Sequence, residues 1–221
     1  MASSIALSAQ DCNERTCSIS PINFNAYRLG VSIGNAYHKA QLKNVISDTN
    51  LPGMDIKGKK HDLIKNSPAV GAFFGYDHIF EETTIFIGAE MALVNHNFEK
   101  SVRSVFKGRT YLLTLKTNNS TTGALRLGIL VKDVLIYGKT GLSSTNWNVL
   151  VKSPYGNNQK KFQKTGYVFG FGCEFKLNNT FSLGLEHEFT KHSRLTSIHP
   201  VVDIKITPIV QTTNLRLIYN F

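Results

Sequence analysis

Residues Thr213–Phe221, TNLRLIYNF, set Leu215, Leu217, Tyr219 and Phe221 on one face of a strand and Asn214, Arg216, Ile218 and Asn220 on the other. Successive side chains of a strand point to opposite faces, so the segment has one greasy side and one polar, cationic side. Its apolar side ends in an aromatic pair, as strands do at a membrane–water interface. In water such an apolar strand face invites aggregation. A barrel closed within a membrane gives it lipid on one side and a polar interior on the other.

Composition is consistent with that reading. Hydrophobic residues make up 42% of the 221 positions and the mean hydropathy is −0.12, but no run reaches the roughly 18 apolar residues of a membrane helix. Apolar residues spread singly along alternating strands are how a transmembrane barrel is encoded.

The same alternation recurs upstream. Tyr27, Leu29, Val31 and Ile33 oppose Arg28, Gly30, Ser32 and Gly34; Val70, Ala72, Phe74 and Tyr76 oppose Gly71, Phe73, Gly75 and Asp77. Ile85 to Leu93 opposes Phe86, Gly88, Glu90 and Ala92, and Leu125 to Val131 opposes Ala124, Arg126, Gly128 and Leu130. Ile136 to Leu142 opposes Tyr137, Lys139 and Gly141. Tyr167 to Phe175 opposes Val168, Gly170, Gly172 and Glu174, and Phe181 to Phe189 opposes Ser182, Gly184, Glu186 and Glu188. With the last segment this makes eight strands in one domain over 26–221. Tight connections at 81–83, 132–133 and 178–179 alternate with long ones at 39–67, 95–109, 147–164 and 190–209. Short turns on one side and long loops on the other mark an up-and-down barrel of the bacterial outer membrane. Thr110–Lys116 either extends the strand that contains Arg126 or forms a separate strand, giving ten. Eight is preferred, because an extra turn would move Lys132-Asp133 to the outer side.

Taken in order, Gly75-Tyr76, Gly88-Ala89-Glu90, Arg126-Leu127-Gly128, Tyr137-Gly138-Lys139-Thr140-Gly141, Gly184-Leu185-Glu186 and Tyr219-Asn220-Phe221 make a chain that resembles the small eight-stranded outer-membrane barrels of the opacity-protein and OmpA/OmpX type. The resemblance implies a Gram-negative outer membrane and a C-terminal assembly signal, here Tyr219 and Phe221, read by the insertion machinery. It also implies a range of adhesins, surface antigens, structural proteins and some enzymes, so it does not fix an activity.

The inward faces carry four cations, Arg28, Arg126, Lys139 and Arg216, and four anions, Glu90, Glu174, Glu186 and Glu188. Eight strands enclose only enough space for side chains, so these charges are expected to pair as a barrel-interior plug. A narrow ion path lined by them is the alternative. Glu186 and Glu188 as an acid/base pair is set aside, since no nucleophile accompanies them.

The net charge of +10 collects in the long connections. Lys57, Lys59 and Lys60 lie in the first, and Lys152, Lys160, Lys161 and Lys164 in the third. Basic loops attract polyanions over about 8 Å at physiological salt, which makes lipopolysaccharide the expected contact and host surface polyanions a further one, with no nucleic acid. Trp147, Tyr155 and Phe162 are read as interface anchors.

No catalytic, metal or cofactor motif is present: there is no HExxH, GxSxG, P-loop or Rossmann fingerprint. His187, His192 and His199 fall near the outer rim without ligand spacing. His192-Ser193 and Ser197 with His199 carry a weak reading as a rim-site lipid A-modifying enzyme. A soluble lipocalin-like barrel would need the glycines and charges on the opposite face.

Residues 1–25 form a separate N-terminal stretch. MASSIALSA (1–9) resembles the end of a secretory signal or is a flexible leader. Cys12 and Cys17 either form a small disulfide loop or stay unpaired, and Cys173 is read as a small hydrophobe on a strand face. The leading expectation is a non-enzymatic outer-membrane barrel acting in envelope structure or surface adhesion, with a small pore as the alternative.

Overall fold

The computed structural model describes residues 26–45, 60–80, 83–106, 109–153, 156–198 and 203–221. Cys12, Cys17, Lys57, Lys59, Tyr155 and His199 lie outside them, and the side chain of Lys60 is likewise not described.

Among the described residues the strands are β1 (Ala26–Val45), β2 (Lys60–Ile79), β3 (Ile85–Phe106), β4 (Arg109–Val131), β5 (Val134–Ser153), β6 (Gly156–Lys176), β7 (Phe181–His192), β8 (Leu195–Ile198) and β9 (Asp203–Asn220). All pairings are antiparallel between chain neighbours, apart from β7 with β9 and the closing pair β1–β9. The four-residue β8 adds to β9 above β7, so eight positions form the ring. Thr110–Lys116 belongs to β4.

Closure is mutual at the chain end, where the Tyr27 N–H donates to Phe221 O at 3.1 Å and the Phe221 N–H to Tyr27 O at 3.0 Å. Tyr27, Tyr76, Tyr219 and Phe221 gather there, with Tyr27–Tyr76 centroids 5.0 Å apart and Tyr219–Phe221 5.6 Å. The neighbouring turns use short-range chemistry. Asn178 Oδ1 accepts from the Thr180 and Phe181 amides at 2.8 Å each, and Lys132 adopts the left-handed φ of 55° that a two-residue hairpin demands.

In the membrane-spanning half the apolar side chains point out and are 39% to 67% exposed, from Leu29 and Ile33 on β1 round to Leu215 and Leu217 on β9. Their neighbours Arg28, Glu90, Arg126, Glu186 and Arg216 are buried within the ring. Cys173 is exposed on the lipid side.

Most of the expected long connections turn out to be strand. β3 extends to Phe106 and β4 starts at Arg109, and β5 extends to Ser153 and β6 starts at Gly156. The hydropathy pattern fails there because its phase inverts. Above the lipid band, polar residues such as Asn146 and Lys161 face water while Trp147 and Val149 turn inward. Trp147 and Phe162 are therefore not interface anchors. Trp147 is 2% exposed in an inner apolar cluster and Phe162 packs against it, since a strand above the lipid buries its apolar side as a water-soluble sheet does. Register shifts between Asn95 and Phe98 on β3, and between Thr117 and Ser120 on β4, mark the change of level.

Candidate functional site

The interior is stratified along the barrel axis. At the turn end, Phe86, Leu135 and Tyr137 form a small apolar cluster. Above it lies the ionic layer, where Arg28 meets Asp77 at 2.6 Å and Glu174 at 2.8 Å, and Arg126 meets Glu174 at 2.7 Å and Asp77 at 3.1 Å. Arg216 bridges Glu90 and Glu186, and Lys139 reaches Glu186 at 3.0 Å and Glu188. Tyr137 donates its hydroxyl to Glu186 at 2.8 Å. Two guanidinium groups lie over rings: Arg216 is 3.6 Å from the Phe73 centroid and Arg126 is 3.9 Å from that of Tyr137.

All eight interior charges named from the sequence meet in this layer. Asp77, Tyr137 and Phe73 complete it and were not singled out, although Asp77 and Phe73 share the inward phase of Gly71 and Gly75, and Tyr137 that of Lys139. With Asp77 the layer holds five carboxylates against four cations; the Tyr137 hydroxyl serves Glu186, and the Phe73 and Tyr137 ring faces stabilise the guanidinium groups that lie over them. Glycines make the room: a Cβ at Gly172 would stand 2.6 Å from Tyr137 Oη and 2.9 Å from the Leu185 carbonyl.

Next comes a hydroxyl and imidazole layer around a cavity of about 10 Å³, lined by His38, His96, His192, Glu188 and threonine and serine hydroxyls. That is room for about one water molecule. His38 Nε2 pairs with Ser67 Oγ at 3.0 Å and His96 Nε2 with Ser120 Oγ at 2.8 Å. The Nδ1 atoms of all three histidines are buried without a partner. Burial holds the imidazoles neutral, pushing His38 down to about 3 and His96 and His192 to about 4. The three lie beyond Ile33, Leu93 and Phe189, the last apolar lipid-facing residues of their strands. His187 by contrast faces outward, against Thr213 Oγ1 at 2.8 Å. No group of three or more His, Cys, Asp or Glu among the described residues is arranged to hold a metal ion.

The outermost layer is apolar: Ala36, Ala40, Leu63, Phe98, Leu115, Trp147, Val149, Ile206 and Val210. Two apolar layers thus bracket a polar one whose charges are spent on each other. Planar-bilayer recording of the folded protein is expected to show no discrete conductance steps; regular steps would mean that the ionic layer carries a through path.

The basic side chains lie outside these layers. Lys152, Lys160 and Lys161 are exposed and Lys164 half-buried on the β5–β6 hairpin, where Lys160 sits 5.3 Å from the Phe162 ring centre. Lys160 pairs with inward Val149 and Lys164 with inward Thr145, so these two share the inner side, while Lys152 and Lys161 take the outer side. Lys191 and Arg194 add to the collar, and the acids at that end of the described strands are Asp62 on β2, Glu99 on β3, 2.9 Å from Lys116, and Asp203 on β9.

A closed antiparallel barrel with apolar residues outside and a salt-bridged interior defines a transmembrane barrel of the Gram-negative outer membrane. The chain belongs to the outer membrane protein beta-barrel domain family, whose model matches residues 2–220. No curated protein sequence matches it. Among solved structures it is similar to OprG of Pseudomonas aeruginosa (12% identity, 90% of this chain and 98% of that one, TM-score 0.57) and to the protease OmpT of Escherichia coli (9%, 90% and 97%, 0.54). The Yersinia pestis attachment invasion locus protein Ail is more distant in shape (17%, 86% and 98%, 0.41). At these identities the likeness is one of fold.

Proposed function

We propose that the protein is a non-enzymatic barrel that serves envelope structure and surface attachment, its basic outer strands contacting the phosphates of lipopolysaccharide and host surface polyanions. The observation that carries this is the collar: Lys152, Lys160, Lys161, Lys164, Lys191 and Arg194 stand above the lipid band, outnumbering the acids Asp62, Glu99 and Asp203 of the described strands there. Lysines near an anionic surface contribute about 1 kcal/mol each. The non-enzymatic reading is supported by the ionic layer, whose carboxylates engage arginine and lysine rather than a substrate cleft. Tyr219 and Phe221, exposed at the closing seam, would serve the insertion machinery as the assembly signal.

Changing Lys152, Lys160, Lys161 and Lys164 together to glutamine is expected to weaken retention on immobilised lipopolysaccharide or heparin by about tenfold or more at low salt, with barrel folding intact. Unchanged retention would remove the polyanion role.

A further inference from the structure

Above the membrane the ring of strands divides. The β2–β3 ladder stops at Val70↔Asn95 and the β6–β7 ladder at Gly166↔His192. Beyond those pairs a single backbone bond among the described residues crosses the second seam, from the Ser193 N–H to Thr165 O at 3.0 Å, and the described strands ladder as two sheets, β8–β9–β1–β2 and β3–β4–β5–β6. Pro68, which has no N–H to give a ladder, sits where the first seam begins. Side chains bridge that seam instead: Lys65 Nζ donates to the Glu99 carbonyl at 3.0 Å and Ser67 Oγ to that of His96 at 3.5 Å.

The histidines sit where the sheets meet. His38, on one sheet, lies edge-on to His96 at 5.6 Å and stacks on Phe98 at 4.5 Å, both on the other. His192, at the top of β7, meets Trp147 edge-on at 5.7 Å. These contacts close the base of the apolar cluster between the sheets.

We propose that the two sheets are the jaws of an acid-operated clasp, shut while His38, His96 and His192 are neutral and driven apart when those imidazoles gain protons. Protonation would place like charges side by side within an apolar seam, where a charge is costly unless it is paired. The charged groups around the cavity do not cancel this. Lys65 on β2 adds to the repulsion at His38, Glu188 on β7 is already clasped by Lys139 of β5, and the opposing contact, a hydrogen bond of His192 to the backbone of Lys164 on β6, is outweighed by burial. From β4 and β9 the cavity wall receives only uncharged groups, Thr117, Ser120, Val210 and Thr212 among them.

The sign follows from burial. The closed state holds the imidazoles below their ordinary value of 6.5, and separating the sheets returns them towards it. Closure is therefore fully favoured above that value and weakens as pH falls from it towards 4, the opening constant rising by up to about tenfold per pH unit per imidazole.

Trp147 is the single tryptophan of the chain, so its emission reports the seam. In the full chain folded in detergent micelles, acrylamide quenching of Trp147 is expected to rise about threefold or more, reversibly, between about pH 7.5 and 4.5, with the far-UV β signal retained. The H38Q/H96Q/H192Q variant is expected to stay shielded across the same range. Native Trp147 equally shielded at the acid end would overturn the clasp. So would the triple variant opening at the native midpoint, which would assign the transition to a carboxylate. Should the triple variant fail to fold, H96Q alone is expected to lower the midpoint pH, and an unmoved midpoint overturns the proposal.

Discussion

Replacing Arg126 with methionine is expected to cost the folded barrel about 3–5 kcal/mol, the loss typical of breaking a buried ion pair from one side. The guanidinium is 1% exposed, donates to Asp77 and Glu174, and lies over the Tyr137 ring. Methionine fills part of the volume but leaves five buried carboxylates facing three cations. Urea titration of the detergent-folded protein, followed by the heat-dependent shift in electrophoretic migration, measures the loss. Adding Glu174→Gln to Arg126→Met should lose less than the sum of the two single changes, by about 1–3 kcal/mol, because the groups share one network. A loss below about 1 kcal/mol in the single variant would mean that the layer is wet and its charges are screened.

The adjacent residue is expected to fail for the opposite reason. Leu127 is 60% exposed on the lipid side, between Ile87 and Gly138 in the ladder. Leu127→Arg puts a cation into hydrocarbon and should cost about 2–4 kcal/mol by the same titration. Thr165→Arg, just above the aromatic edge at Tyr167, should cost about 0–1 kcal/mol. Equal costs at the two positions would contradict the placement of the lipid band. Neighbours one residue apart thus tolerate opposite chemistries, which is the functional content of a two-residue period.

The transmembrane half was legible because lipid and a sealed interior demand opposite side chains at alternate positions. Arg28, Glu90, Arg126, Lys139, Glu174, Glu186, Glu188 and Arg216 could therefore be assigned to one face without coordinates. Asp77 followed the same rule and was passed over, because it closes a segment rich in glycine and phenylalanine. Strand length was misread for a different reason. Past Ile33, Leu93 and Leu142 the outside becomes water, and residues such as Lys161 and Trp147 lose the lipid-facing pattern while the backbone continues in strand.

Local alternation by itself determined the barrel, its membrane and the inward placement of its charges, since each depends only on which side of a strand a residue occupies. Only the tertiary structure decided which charge meets which, where the ring parts into two sheets, and that His38, His96 and His192 converge. Those three histidines come from strands distant in sequence, and their meeting is set by strand register and tilt, which no single segment encodes.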